Sequence, residues 1–164
     1  MIAIRQFFIS SSFWVSCSWA QVDSIEIIKH RHELNTIKDD KVIKTYRIAL
    51  GRQPKGKKME RSDKRTPVGH YHIRRKLAAS DYYKSLILNY PTAEEKVDAE
   101  ARGVDIGDHL CLHGMRDYLY YLPSFLQRMH RWVDWTAGCI ALTNDEMDEL
   151  FEEVEEGTPV VIYE

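Results

Sequence analysis

The sequence predicts a mainly β domain with short helices set into it. Three observations predict this. Apolar and polar residues alternate from Ser24 to Gly51, two helix starts carry reciprocal capping residues (Thr92 with Glu95, Thr143 with Glu146), and an apolar run closes the chain at residues 160–163. Alternation marks strands with one buried face. A threonine followed three positions on by glutamate satisfies two orphan amides at a helix start. A length of 164 residues suits one domain with its own core.

Residues 25–29 and 33–38 read as strands, 38–41 as a turn, and 42–50 as a third strand closed by Gly51. Hairpins of this kind build an antiparallel sheet. Residues 52–65 form a loop by composition, with Pro54, Gly56 and a basic run of Arg52, Lys55, Lys57, Lys58, Arg61, Lys64 and Arg65 against Glu60 and Asp63. That run reads either as a solvated face or as a contact for carboxylates. Thr66-Pro67 restarts extended structure, because a residue before proline is pushed out of the helical region. Strands follow at 69–74 and 85–90. The Thr92 capping box opens a helix to about Arg102, closed by Gly103.

Beyond it a strand at 110–113 ends on His113. Residues 115–134 are the least regular part. Tyr118, Tyr120, Tyr121, Phe125 and Trp132 crowd there and Trp135 follows, while Pro123 is placed to open a short helix. These aromatics read as packing or as one wall of a binding groove, with Trp135 the candidate nearest the cysteine. The Thr143 box starts a helix that buries Met147, Leu150, Phe151 and Val154 at helical spacing. Gly157 is expected to cap it, and residues 160–163 form the last strand.

Residues 1–20 read as an export signal, leaving a domain of 21–164. Arg5 supplies the positive end, Phe7 to Val15 are mostly apolar, and Ser18-Trp19-Ala20 places small residues at a cleavage site. The stretch is short for a transmembrane span. The rival readings are a lipoprotein signal lipidated at Cys17 and an apolar N-terminal strand. A formal net charge of −2 gives no reason to expect a nucleic-acid partner. No phosphate loop or nucleotide fingerprint calls for a cofactor.

Chemistry concentrates in two short stretches, Leu112-His113-Gly114 and Thr136-Ala137-Gly138-Cys139. A thiol and an imidazole brought together from separate segments are the minimum equipment for thiolate nucleophilic catalysis. Gly138 lets the backbone turn tightly, so that amides there can face a reacting carbonyl oxygen. Other readings stay open: a buried structural Cys139, a Cys111–Cys139 disulfide, or zinc held by His109, Cys111, His113 and Cys139. Period-2 alternation would put His109, Cys111 and His113 on one strand face. Cys111 is expected to remain reduced in the active protein. Arg116 is a candidate partner for a substrate carboxylate, and His130 a candidate second histidine near the thiol.

The segments Arg65-Thr66-Pro67-Val68-Gly69-His70-Tyr71, His113-Gly114 and Asp134-Trp135-Thr136-Ala137-Gly138-Cys139-Ile140-Ala141 resemble, in this order, the signature blocks of the YkuD-type L,D-transpeptidase catalytic domain, over residues 23 to 163. The resemblance implies a β-sandwich or barrel with a capping helix after the cysteine, and a peptidoglycan stem peptide as substrate. It further implies an acyl-enzyme on Cys139, with His113 as proton acceptor and Gly138, Thr136 and Gly114 in positioning roles. Ala137 stands where the common pattern has histidine or arginine, and Ala141 where it has asparagine or arginine. This is similar to the Gly-Cys-Ile-Ala branch of Gram-negative bacteria, which includes peptidoglycan amidases as well as transpeptidases. A periplasmic monomer is expected. The acyl acceptor is an amine or water, and a binding-only wall protein is the non-enzymatic alternative.

Overall fold

The computed structural model describes residues 22–116, 121–129 and 132–164. The expected export signal, Cys17, Tyr118, Tyr120 and His130 lie outside these residues. Alternation from Ser24 onward forms β1 (Ser24–Ile28), β2 (Glu33–Lys38) and β3 (Lys41–Arg47), an antiparallel meander. Asp39 and Asp40 take the left-handed conformation that the tight β2–β3 turn needs. The expected third strand stops early: Ile48, Ala49 and Leu50 leave the ladder and are fully buried.

The strand expected at 69–74 runs further, as β4 (Gly69–Ser80). Its first half pairs with β8 (Pro159–Tyr163) and its second half with β5 (Tyr83–Leu88), the β5 pairing carrying register shifts after Ile73 and after Leu77. A strand shared in this way bends from one packed layer into the next. β6 (Cys111–His113) and β7 (Ile140–Ala141) complete the sheet, whose order among the described residues is β3-β2-β1-β8-β4-β5-β6-β7. Ala49, just past β3, bridges to Ala141 of β7, bringing the two ends of that order together. The architecture is mainly β with short helices, as expected from the sequence.

α1 (Ala93–Arg102) has the expected Thr92 capping box and left-handed Gly103. α2 (Ser124–Met129) follows Pro123, whose carbonyl accepts from Leu126 and Gln127. α3 (Asn144–Glu153) starts on the Thr143 capping box and packs against β5, with Met147 and Leu150 fully buried. Gly157 does not cap it. The cap is Val154, in extended conformation with its amide on Leu150 and its side chain in the core, while Gly157 turns the chain into β8. Burying Val154 gains more than a left-handed cap would there, roughly 1.5–3 kcal/mol for such a side chain. Among the described residues, no helix is long and apolar enough to cross a membrane.

Candidate functional site

β6 and β7 run parallel, with Leu112 opposite Ile140 and His113 opposite Ala141. That register sets Cys111 beside Cys139, and both are free thiols. The Cys111 thiol donates to Cys139 Sγ at 3.5 Å, and Cys139 Sγ lies 3.4 Å from the His109 carbonyl oxygen. No hydrogen bond joins Cys139 to His113 in this arrangement, although both line one cavity of about 560 Å³. His109 has a left-handed backbone (φ 59°) and lies before β6, yet it lines the same cavity as Cys111, His113 and Cys139. Among the described residues, no group of three or more histidine, cysteine or acidic side chains gathers as the zinc reading requires.

The imidazole of His113 is 3% exposed. Its Nδ1 donates to the Gly114 carbonyl oxygen at 2.6 Å, which leaves Nε2 as the basic nitrogen of the neutral ring. Burial pushes its pKa down to about 4, outweighing the Gly114 carbonyl. The ring packs against Tyr82 and Trp135, at centroid distances of 4.6 and 5.7 Å. The Gly114 backbone sits hard against α3: a Cβ there would lie 2.6 Å from Asn144 Oδ1, which itself accepts from the Met115 amide. Thus the capping helix holds His113 in place from behind.

The turn that presents Cys139 is organised by Thr136, whose hydroxyl accepts from the Gly138 amide at 3.1 Å and donates to the Cys139 carbonyl at 2.6 Å. The Gly138 amide is therefore taken up inside the turn by the threonine hydroxyl. Gly138 has φ 137°, and an added Cβ would meet the Arg65 carbonyl oxygen at 2.9 Å. Asp134 fastens the segment to the core by accepting from His32 and from the Leu50 amide.

Charge tunes the two thiols in opposite directions. The S–H donated by Cys111 holds the Cys139 thiol below its ordinary value against the effect of burial, and the Cys111 amide and the charges of Lys58 and His109 add to this. The same contact, with burial, pushes the Cys111 thiol up. Cys139 also lines a second cavity, of about 310 Å³, with Lys58, Arg61 and Arg65. Arg52, Lys64, Arg116 and Trp135 line the larger one. The basic loop thus serves both cavities. Arg116 is exposed at the rim, stacked over Tyr82 and donating to its hydroxyl at 2.8 Å.

The sequence reading missed Tyr82, Asn144 and the buried Lys58. Tyr82 sits on the β4–β5 turn and Asn144 at a helix start, positions with no chemical signature of their own. Lys58 stood out only as one member of the basic run.

The sequence profile of the L,D-transpeptidase catalytic domain (YkuD) matches residues 22–162. The chain belongs to this family. No curated protein matches it. Among solved structures, the L,D-transpeptidase-like fold recurs in a point mutant of the helical cell shape determining protein Pgp2 from Campylobacter jejuni (26% identity, TM-score 0.62, 87% of this chain and 47% of that chain). It recurs in an L,D-transpeptidase mutant from Enterococcus faecium (17%, 0.55, 87% and 50%) and in the L,D-transpeptidase from Xylanimonas cellulosilytica (15%, 0.53, 89% and 62%). The chain spans about half the length of the first two.

Proposed function

We propose that this chain is a cysteine-dependent L,D-transpeptidase of peptidoglycan stem peptides, of the Gly-Cys-Ile-Ala branch. In this reading residues 1–20 direct it to the periplasm, where domain 21–164 works as a monomer. The observation that carries transfer over simple cleavage is that Cys139 belongs to the walls of two cavities at once. An acyl donor in one and an amine acceptor in the other reach the same sulfur. The basic side chains Arg52, Lys64 and Arg116 around the larger cavity suit the carboxylates of peptide stems, and the likeness to a cell-shape protein supports a cell-wall substrate.

Cys139 Sγ attacks the carbonyl that precedes a terminal D-alanine. Its proton passes to His113 Nε2, the nitrogen left free by the Gly114 contact. With the Gly138 amide committed to Thr136, the oxyanion falls to the Cys139 amide, a contribution of roughly 3 kcal/mol for one good donor. The carbon–nitrogen bond breaks as His113 returns the proton to the departing D-alanine amine, leaving a thioester on Cys139. An acceptor amine then attacks the thioester and gives its proton to the again neutral His113. The carbon–sulfur bond breaks, the new amide, a 3–3 cross-link or an attachment, leaves, and His113 returns the proton to the Cys139 sulfur.

The test is mass spectrometry of tetrapeptide muropeptides incubated with the mature chain and with Cys139→Ala. Loss of D-alanine together with dimers or amine-exchanged products, in the parent alone, supports the reading. D-alanine loss without a new bond would make the site a carboxypeptidase or amidase, and equal product from both samples would remove Cys139 from the chemistry.

A further inference from the structure

The register of β6 against β7 brings a second thiol to the sulfur proposed as nucleophile. Cys111 is half-buried, lines the same cavity as Cys139, and donates its S–H to Cys139 Sγ at 3.5 Å. His113 makes no such contact. It is turned by the Gly114 carbonyl and held neutral by burial, so at rest it supplies no positive partner for a sulfur anion. A cysteine that served packing alone would not need to face the cavity or aim a proton at its neighbour.

We propose that Cys111 is a positioning residue for Cys139: its S–H holds the Cys139 sulfur against β6 and takes up part of the negative charge when that sulfur loses its proton. An S–H is a weak donor to a neutral acceptor, but any donor strengthens when the acceptor becomes an anion. Proton accounting is simple. Cys139 gives its proton to His113, Cys111 keeps its own throughout, and no sulfur–sulfur bond forms. The opposite displacements of the two thiols, Cys139 down and Cys111 up, follow from this contact. The proposal rests on Cys139 being the nucleophile, yet its readout requires no turnover.

The experiment is the pH dependence of iodoacetamide alkylation at Cys139, followed peptide by peptide in the reduced full chain. In the parent the midpoint is expected below the roughly 8.5 of a free cysteine. Cys111→Ala and Cys111→Val, which both remove the donor, should slow Cys139 alkylation at pH 7 by about tenfold. Cys111→Ser restores a donor and should stay within about threefold of the parent, which a packing role would not explain. Val fills the space that Ala leaves empty, so the test survives if one of the two fails to fold. Cys139 rates that stay within about twofold of the parent in both donor-free variants overturn the proposal. So does a quantitative Cys111–Cys139 disulfide in fully active protein. A normal alkylation response without muropeptide turnover would sink the transpeptidase reading and leave this one standing.

Discussion

Thr136→Val isolates the hydroxyl that shapes the cysteine turn. Thr136 is 5% exposed, and its backbone bonds, from its amide to the Leu50 carbonyl and from the Arg52 amide to its own carbonyl, do not involve the side chain. Valine keeps the branched shape and removes only the hydroxyl. Two groups then lose a partner: the buried Gly138 amide, 3.1 Å away, and the Cys139 carbonyl, 2.6 Å away. Leaving a buried polar group unmet costs about 1–3 kcal/mol, and partial relaxation of the turn places the sum at about 2–4 kcal/mol. With a urea m-value of about 2 kcal/mol/M, the unfolding midpoint should fall by about 1–2 M. Thr136→Ser keeps both bonds and should lose about 1 kcal/mol or less, for its methyl group. Equal midpoints for Thr136→Val and Thr136→Ser would refute the reasoning, since the variants differ in the hydroxyl that it invokes.

Three further outcomes follow from buried polar groups elsewhere. Asp63 accepts from the amides of Met59, Glu60 and Arg65 and from the buried Lys58. Burial works to raise its pKa, but these donors outweigh it and hold the carboxyl at about 2. The stability it adds is therefore present above the ordinary carboxylate value and lost as pH falls towards 2. Asp63→Ala should strip hydrogen-exchange protection from the amides of Met59 and Arg65, and unchanged protection would count against the anchor. Thr143→Ala removes the α3 cap bond to the Glu146 amide and should cost about 1 kcal/mol in a denaturant melt, whereas a cost near zero would mean that packing alone holds the helix start. His113 is depressed from 6.5 to about 4, so its contribution is complete above pH 6.5 and lost as pH falls through that interval. Between pH 7 and 5 the parent should lose about 2 kcal/mol more than His113→Gln, and parallel slopes would contradict a neutral buried ring.

Where a local rule has one solution, the sequence was easily read. Both capping boxes form as expected because the threonine hydroxyl and the glutamate carboxylate reach amides within their own turn. The meander to Lys38 and its turn follow from alternation. The errors arise where tertiary packing overrides such a rule. Ile48 to Leu50 continue the apolar pattern of the strand but are all buried, since the chain there crosses to the far edge of the sheet. His109 fits the strand period, yet β6 starts only at Cys111, and His109 lines the shared cavity from a left-handed position ahead of the strand. At the site, Cys139 and His113 were legible as residue types, and both line one cavity. Their partners were not: the Gly138 amide turns inward to Thr136, and the Cys139 sulfur contacts the His109 carbonyl oxygen and the Cys111 thiol rather than an imidazole.

The site's position follows from the way the sheet closes. Two bridges join the segment after β3 to the cysteine segment, Ala49 to Ala141 and Gly51 to Thr136. Gly51 is crowded on that seam: a Cβ would meet the Lys64 carbonyl oxygen at 2.1 Å and Gly138 Cα at 3.0 Å. Its amide is held by Thr66 Oγ1 at 3.0 Å. The closure that brings the ends of the fold together therefore also clamps the basic loop, the Thr136 turn and Cys139 against one another. That gives the Arg65-Thr66-Pro67 stretch a physical role although it contributes no nucleophile: Thr66 pins Gly51, and the Arg65 carbonyl leaves room at Gly138 only for a residue without a side chain.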